Sequence, residues 1–364
     1  MKKFNGKTVL VTGSCGTVGS ELIKQLLVNP VNSPNEVIGI DNNESSLFFQ
    51  DQEYLKDKRA HFYVIDLRDR DALNNIMKGV DVVFHCAALK HVILSERSPG
   101  QCIQTNINGV DNVIFAANEN NVETVIFTSS DKAVNPTNVM GTSKLMGERL
   151  MTAANSHKKS KGPIFASTRF GNVLGSNGSV IPIFYNQIAK GGPVTLTDRE
   201  MTRFVMSIEE SVQLVLDSAL LAKGGEVLIT KMPVIRIEDL AKVMIKDLAP
   251  RFGKSPEEIQ IIEIGTKPGE KLYEELMSDE ETRRSVELDK YFSVTPAFKG
   301  IYSNIDYDYE GLINEVVSNP YVSAEVTPLS LNQVSDLLIN YGLINKPSDY
   351  ITSRYWPGDK ESNQ

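Results

Sequence analysis

Short apolar, β-branched runs alternate with amphipathic segments through the first half of the chain. Residues 8–11 (TVLV) predict a buried strand, and the segment that follows places Val18, Leu22 and Leu26 on one helical face. The same pattern predicts further strands at residues 36–40, 61–65, 81–86, 124–128 and 164–168. Continuous apolar strands separated by helices are typical of a parallel sheet covered on both faces, so we expect an α/β fold with a doubly wound parallel sheet.

The regular alternation of apolar strands and amphipathic helices changes after about residue 172. Helices are predicted at residues 179–190, 207–221, 238–248 and 270–277, and extended segments at 193–196, 226–230 and 259–264. We interpret residues 1–172 as the first domain and 173–300 mainly as a smaller α/β substrate-binding portion, with some return to the main sheet. Residues 301–364 form a C-terminal extension, with an amphipathic helix predicted at 329–343 and disorder at 358–364.

Composition excludes several classes of function. The net charge of −8 argues against nonspecific nucleic-acid binding, which needs a basic face. Cys15, Cys86 and Cys102 are too few and too irregularly spaced for a disulfide framework, and the four histidines lack metal-ligand spacing, so we predict free thiols and no metal. A signal-peptide core and an apolar run of membrane-spanning length are both missing, which predicts a cytoplasmic protein without membrane association.

A glycine-rich turn follows the first predicted strand and opens a helix. Residues 11–19 read VTGSCGTVG, and glycines at three-residue spacing permit a tight turn and a close approach to a pyrophosphate. A glycine pattern alone also fits an ordinary strand–helix turn, but Asp41 ends the second strand 22 residues after Gly19, where a carboxylate binds ribose hydroxyls. We therefore predict a dinucleotide-binding Rossmann domain whose turn contributes Gly13, Ser14, Cys15, Gly16, Thr17, Val18 and Gly19.

The residues around Asp41 favour NAD over NADP. A carboxylate at this position would repel a 2′-phosphate, and the following Asn42 provides no compensating positive charge. The ends of the third and fourth strands are placed to flank the dinucleotide, although packing explains Leu67 equally well. The remaining predicted cofactor contacts are Asp66, Leu67, Ala87, Ala88, Lys90, Asn106 and Lys144.

Several strings together resemble the extended short-chain dehydrogenase/reductase superfamily. They are the glycine spacing, HCAA at residues 85–88, Asn106, and Met140 four residues before Lys144. ALKHV at 88–92, DKAVNPTNVMG at 131–141 and RFGNVLGS at 169–176 resemble, more specifically, the UDP-N-acetylglucosamine 4,6-dehydratases of polysaccharide and glycan biosynthesis. The resemblance covers roughly residues 5–285 and is strong through residue 210.

The chain departs from the superfamily at the catalytic tyrosine, whose place is taken by Met140. A thioether has no proton to exchange, so the usual hydroxyl oxidation through tyrosine is ruled out. Within the dehydratase family the methionine form marks a branch that usually carries a membrane-attached amino-terminal region, and this chain resembles its soluble catalytic part. Simple core packing of Met140 is the alternative interpretation.

The resemblance implies a reaction in which hydride leaves sugar C4 for NAD, water is eliminated across C5 and C6, and the hydride returns to C6. Elimination needs a base at C5 and an acid at the C6 oxygen, and we assign both to the end of the fifth strand. Asp131, directly or through Ser130, exchanges protons with the C4 and C6 oxygens, and Lys132 removes the C5 proton. Lys144 would hold the nicotinamide ribose. A solvated turn at Asp131–Lys132 is the competing interpretation.

The resemblance further implies a UDP-sugar substrate, retention of configuration at C5, and a homo-oligomer (dimer or larger) formed through a helix bundle that includes residues 145–154. Two other functions stay open: a nucleotide-sugar 4-epimerase, which relies on the missing tyrosine, and a catalytically silent NAD-binding sensor. The predicted substrate contacts are Lys90, His91, Arg169, Asn172, Thr195, Arg203 and Glu270.

Overall fold

The computed structural model describes residues 3–156, 162–176, 179–265, 269–302 and 305–344. The chain divides into two compact units. The larger unit comprises residues 1–171, 208–232 and 274–325, and the smaller unit comprises residues 172–207, 233–273 and 326–364. Each unit is therefore assembled from separate stretches of sequence.

The first stretch of the larger unit alternates strands and helices. Its strands β1–β6 are Thr8–Thr12, Glu36–Asp41, Ala60–Val64, Val82–His85, Thr124–Thr128 and Ile164–Arg169. Its helices α1–α7 are Thr17–Val28, Glu44–Tyr54, Arg70–Ile76, Val92–Arg97, Pro99–Cys102, Gly109–Glu119 and Val139–Ala154. A π-helical turn, Ile103–Asn108, joins α5 to α6, and a 3₁₀ turn, Asp131–Ala133, precedes α7.

The rest of the chain contributes elements to both units in turn. The smaller unit receives β7 (Asn172–Val173), α8 (Val180–Lys190), β8 (Val194–Leu196) and β9 (Thr202–Met206), and the larger unit then receives α9 (Ile208–Leu221) and β10 (Val227–Thr230). Next come β11 (Val234–Arg236), α10 (Ile237–Leu248) and β12 (Ile261–Glu263) of the smaller unit. The larger unit ends with β13 (Glu275–Met277), α11 (Asp279–Thr282), β14 (Ser285–Leu288), β15 (Tyr291–Val294), β16 (Leu312–Asn314) and β17 (Tyr321–Val322), before α12 (Leu331–Asn340) of the smaller unit.

The ten-stranded sheet of the larger unit has the order β16-β14-β15-β10-β6-β5-β4-β1-β2-β3. Strands β1 to β6 pair in parallel, and so does β10 with β6, while β14, β15 and β16 add antiparallel partners at one edge. The strand order reverses between β4 and β1, and the crevice outside the strand ends at such a point is where ligands bind in doubly wound sheets. The predicted Rossmann-like α/β fold is confirmed.

Each unit has its own apolar core. In the larger unit, Leu10, Val83, Val125 and Phe165 of neighbouring strands pack with α3 and α6 side chains. The core of the smaller unit combines α8, α10 and α12, so the helix predicted within the C-terminal extension packs in this core. The tail predicted to be disordered, residues 358–364, lies outside the described residues.

The helix predicted at residues 270–277 is wrong. Glu275–Met277 forms β13, which pairs antiparallel with β17, and the backbones of Glu274 and Ser323 extend this contact. Pairing with a segment about 45 residues further along the chain thus overrides a local composition that favours helix. None of the helices in the described part of the chain is long and apolar enough to cross a membrane.

Candidate active site

The glycine turn between β1 and α1 requires residues without side chains. Gly13 has φ +67°, and a Cβ on it would lie 2.7 Å from the Ala87 Cα. A Cβ on Gly19 would lie 2.1 Å from the Gly13 carbonyl oxygen. Gly16 precedes the first residue of α1 and cannot cap the helix with a side chain, so the helix end has the geometry that binds phosphate groups.

A cleft lies outside the ends of β1–β4, within the larger unit. Its wall contains predicted cofactor residues from the glycine turn and from three strand ends, namely Gly13, Gly16, Asp41, Asn42, Asp66, Leu67, Ala87 and Ala88. Cys86, which follows the fourth strand with Ala87 and Ala88, also lines this wall, and sequence reasoning missed Ile40, Ile65, Leu89 and Thr105. Thr105 sits on the π-helical turn, which no sequence signal indicated.

Two acidic residues at strand ends shape the cleft. Asp41 accepts a hydrogen bond from the Cys15 backbone N–H at 3.1 Å, so it anchors the glycine turn as well as carrying charge into the cleft. Asp66 forms an ion pair with Arg68, whose hydrogen bonds hold the pKa of that carboxyl below its usual range. Burial raises the pKa of the Cys15 thiol to about 11, with Asp41 adding to the effect, so this cysteine stays protonated.

Ser130, Asp131 and Lys132 meet at the end of β5, as predicted. The Ser130 hydroxyl donates to Asp131 Oδ1 at 2.6 Å, and Lys132 Nζ donates to both Asp131 oxygens at 3.1 and 2.9 Å. The Asp131 side chain is buried, whereas that of Lys132 is 36% exposed. The segment is a hydrogen-bonded acid–base pair, which argues against a merely solvated turn.

Helix α7 places Lys144 against the end of β5. Lys144 Nζ donates to the Thr128 carbonyl oxygen at 2.9 Å and lies 4.7 Å from the centre of the Phe127 ring. Burial lowers the pKa of Lys144 to about 8, although Cys86 and Glu148 act in the opposite direction. Met140, in the first turn of α7, is buried with 3% of its surface exposed.

Asn106 of the π-helical turn links Leu89 in the cleft wall to Ser143 of α7 through hydrogen bonds. Its amide oxygen accepts from the Leu89 N–H at 2.8 Å, and its amide nitrogen donates to the Leu89 carbonyl at 2.9 Å and to Ser143 Oγ at 2.9 Å. In the structure Asn106 therefore positions Leu89, which lines the cleft, and links it to α7.

His85 is a buried polar residue at the end of β4 that the sequence analysis did not single out as a site residue. The Thr12 hydroxyl accepts from the Ala87 N–H at 3.3 Å and lies 2.7 Å from His85 Nδ1. Burial, with a contribution from Lys144, lowers the pKa of His85 to about 3, so its ring is neutral. The sequence signal that could have identified this pair is the presence of two polar residues, Thr12 and His85, at the ends of otherwise apolar strands.

Lys90 and His91 follow β4, in the loop after Leu89. Burial of the ammonium group lowers the pKa of Lys90. Burial also lowers the pKa of His91, and the neighbouring Lys90 adds to this shift. The assignment of both residues to the substrate stays a prediction.

Arg169 does not have the role predicted for it. Its side chain is only 1% exposed, and all five of its N–H donors are used inside the larger unit. Two go to Glu148 at 2.7 and 2.6 Å, two to Glu281 at 2.8 and 2.9 Å, and one to the Leu276 carbonyl at 3.1 Å. A guanidinium saturated in this way has no donor left for a phosphate, so Arg169 is a structural residue.

The other predicted substrate residues lie in the smaller unit. Arg203 and Glu270 approach each other to 3.8 Å, and Arg203 also donates to the backbone carbonyls of residues 202, 271 and 272. The Thr195 hydroxyl accepts from the Gln187 amide at 2.8 Å, and the Asn172 amide donates to the Phe204 carbonyl at 3.3 Å. The structure therefore brings Arg203 and Glu270 together and gives Thr195 and Asn172 separate partners.

The parallel sheet, the glycine turn at its switch point and the buried lysine of α7 define an extended short-chain dehydrogenase/reductase. The family described as polysaccharide biosynthesis protein matches residues 9–296, and the chain belongs to this family. The resemblance found in the sequence is thereby confirmed.

Similar proteins carry different names. The uncharacterized membrane protein MJ1061 of Methanocaldococcus jannaschii is 49% identical, over 80% of this chain and 87% of its own length. A protein of Campylobacter jejuni named UDP-N-acetylglucosamine 4,6-dehydratase (inverting) is 37% identical, over 85% of this chain and 89% of its own length. A protein of Rickettsia bellii named UDP-glucose 4-epimerase is 36% identical, over 94% and 98%.

A solved structure shows the same fold. The X-ray structure of Pen from Bacillus thuringiensis superimposes with a TM-score of 0.84 at 38% identity, covering 93% of this chain and 99% of that one. The relatives support nucleotide-sugar dehydration or epimerisation as the class of reaction.

Proposed function

We propose that this protein is an NAD-dependent hydro-lyase that converts UDP-N-acetylglucosamine into the UDP-4-keto-6-deoxy sugar. The observation that carries the proposal is the hydrogen-bonded Ser130–Asp131–Lys132 segment after β5, with buried Lys144 bonded to Thr128 at the end of that strand and Met140 in place of tyrosine. Dehydration needs an acid and a base beyond those of a simple oxidation, and this segment supplies both. The Campylobacter relative named as a dehydratase supports the same activity.

The cleft of the larger unit fits a dinucleotide. Gly13 and Gly19 clear the space that a pyrophosphate needs, and the uncapped start of α1 provides the N–H groups for it. Asp41 is placed for ribose hydroxyls and disfavours a 2′-phosphate, so we assign NAD. Bound there, NAD would supply the hydride chemistry of the reaction, as acceptor for hydride from sugar C4 and donor of hydride to C6.

The proton transfers are assigned to two side chains. Asp131, as a carboxylate, accepts the C4 hydroxyl proton, either directly or through Ser130. Its negative charge is then gone, and Lys132, which is 36% exposed, releases its proton to water and becomes the base. Lys132 removes the C5 proton, which the adjacent C4 carbonyl has acidified, while Asp131 protonates the departing C6 oxygen. Lys132 then returns a proton to C5 and takes one back from water, so that Asp131 ends as a carboxylate and Lys132 as an ammonium, as both began.

The configuration at C5 follows from the number of proton donors. A single base can take and return the C5 proton on one face, whereas inversion needs a second donor on the other face. Met140 has no proton to donate, and the family resemblance implies retention at C5, which we propose with Lys132 as the one base. The name of the Campylobacter relatives includes inversion, and the product therefore has to be examined for both outcomes.

A 4-epimerase is the second candidate, because the Rickettsia relative named as an epimerase matches almost the whole chain. An epimerase oxidises C4 and returns hydride to the same carbon, so it has no use for a base at C5. Tyrosine is the residue that would exchange the C4 hydroxyl proton in such an enzyme, and its position holds a buried methionine. The acid–base pair at Asp131–Lys132 makes dehydration the better supported reaction.

We also propose contacts outside the reacting carbons. Lys90, His91, Asn172, Thr195, Arg203 and Glu270 are assigned to the nucleotide sugar, with Arg203 as the candidate for the diphosphate because guanidinium groups bind phosphate oxygens in pairs. A homo-oligomer is proposed through α7, where Met146 is 45% exposed. Light scattering of the purified protein tests that assembly, and a monomer mass would reject it.

Incubation with UDP-N-acetylglucosamine in deuterated water tests the activity. We expect a product that has lost one water and carries deuterium at C5, seen by mass spectrometry and proton NMR, with coupling constants that show retention. An inverted C5 would contradict only the one-base mechanism and would leave the dehydratase activity standing. A C4 epimer without loss of water would favour the second candidate, and NAD binding without turnover would favour a silent sensor.

A further inference from the structure

The buried cluster of Glu148, Arg169 and Glu281 lies directly behind the catalytic helix. Arg169 of β6 binds one carboxylate of α7 and one of α11 in paired geometry, at distances from 2.6 to 2.9 Å. All three side chains are at most 5% exposed. Buried ion groups of this kind add little net stability compared with an apolar core, so their presence next to a catalytic residue calls for another explanation.

Glu148 connects the cluster to Lys144. The two residues are four positions apart on α7 and so share one face of the helix. The helix is seated closely between them, because a Cβ on Gly147 would lie 2.7 Å from the Phe127 ring that Lys144 also faces. A shift of Glu148 would therefore move the Lys144 ammonium with it.

One charge of the cluster, that of Glu148, also acts on the pKa of Lys144. Burial disfavours the protonated form of Lys144, whereas Glu148, Cys86 and Cys102 favour it. The ring of His85 is neutral. Glu281 is not among the groups that act on Lys144. Glu281 has a second cationic neighbour besides Arg169, because Arg284 lies 3.5 Å from its carboxylate. Burial alone would raise the pKa of Glu281, but Arg169 outweighs burial and lowers it to about 2.

We propose that Glu148, held in place by Arg169, is a positioning residue that keeps the ammonium group of Lys144 charged and against the Thr128 carbonyl oxygen and the Phe127 ring. Glu281 anchors Arg169 from the other side without acting on Lys144. The inference rests on the proposed function only in its catalytic consequence, because the state of Lys144 is a property of the protein itself.

Glu148→Gln and Glu281→Gln are matched variants, because each removes one buried carboxylate from the same guanidinium. NMR of protein labelled at lysine Cε gives the pKa of Lys144 without cofactor or substrate. We expect Glu148→Gln to lower the pKa of Lys144 by about one unit and Glu281→Gln to leave that pKa unchanged. The two variants should lower the melting temperature by similar amounts. At pH 8, near the pKa of about 8 for Lys144, such a drop in its pKa reduces the protonated fraction about fivefold and moves the alkaline limit of turnover to lower pH.

Equal behaviour of the two variants would overturn the proposal, whether both shift Lys144 or neither does, because the cluster would then be structural only. Should Glu148→Gln fail to fold, Glu148→Asp retains the charge on a shorter side chain, and the proposal expects a smaller shift in the same direction. The NMR result decides the inference even if the wild-type protein converts no sugar nucleotide, so its failure is distinct from failure of the proposed function.

Discussion

The cofactor cleft and the catalytic face of the larger unit are built on opposite principles. The cleft depends on missing side chains, since Gly13 and Gly19 leave room that any Cβ would fill. The catalytic face depends on buried charge, since Lys144 sits in a pocket that lowers its pKa to about 8. Gly19 meets its steric requirement within the glycine turn and Gly13 meets its own against Ala87 of the neighbouring strand end, whereas the charged partners Arg169 and Glu281 lie 112 residues apart. We expect substitutions to separate the two regions accordingly.

The largest effect is predicted for Asp131→Asn. An amide neither accepts the C4 hydroxyl proton nor supplies an acid for the C6 oxygen, so turnover should fall by about 100-fold to 10,000-fold. NAD binding should be retained, because Asp131 lies outside the residues that line the cofactor cleft. Steady-state turnover and NAD titration of the same preparation measure both. Unchanged turnover would remove Asp131 from the mechanism.

Ser130→Ala refines the same test. The Ser130 hydroxyl donates to Asp131 Oδ1 at 2.6 Å, so its loss matters only if the proton travels through it. A loss as large as that of Asp131→Asn would show that the hydroxyl relays the proton. A loss of about tenfold or less would show direct transfer to Asp131.

Gly19→Ala should disrupt the cleft. Its Cβ would meet the Gly13 carbonyl oxygen at 2.1 Å, and relief requires movement of the turn that receives the pyrophosphate. We expect a loss of about 2–4 kcal/mol in the free energy of unfolding and strongly weakened NAD binding, measured by chemical denaturation and calorimetry. Gly100→Ala is the matched control, since a Cβ there meets nothing within 4 Å. Equal effects of both would contradict the steric account.

Lys144→Met should separate stability from activity. The folded pKa of Lys144, about 8, is below its ordinary 10.5, so burial of the charged form costs stability below pH 8. Wild-type stability should therefore rise as pH increases from about 8 to 10.5, and that rise should vanish in the variant. At pH 7 we expect the variant to be more stable by about 1–2 kcal/mol and to lose turnover by about 10-fold to 100-fold, less than Asp131→Asn. A less stable variant would mean that the contacts with Thr128 and Phe127 outweigh desolvation.

The smallest effect is predicted for Met140→Leu. The side chain is 3% exposed and has no proton to exchange, so a similar apolar volume should keep turnover within about threefold and stability within about 1 kcal/mol. Initial rates and a thermal melt check this. A drop of more than tenfold in turnover at unchanged stability would give the thioether a role in catalysis.

Sequence alone predicted the parallel sheet, the glycine turn and Asp41, because apolar period, glycine spacing and strand ends are local signals. The Ser130–Asp131–Lys132 segment was assigned through the family resemblance of the strings around it. Arg169 was misassigned because a guanidinium at a strand end suits a phosphate, and its partners Glu148 and Glu281 come from elements distant in the chain. The helix predicted at 270–277 failed for the same reason, since β13 is specified by β17. The bond from Asn106 to Leu89 depends on a π-helical turn that has no distinctive composition.

The most direct test of the proposed reaction uses UDP-N-acetylglucosamine carrying deuterium at C4, incubated in ordinary water. The account predicts loss of one water and a product methyl group at C6 that carries the deuterium, seen by deuterium NMR. Deuterium that stays at C4 of an epimerised sugar, or a substrate returned unchanged, would contradict it.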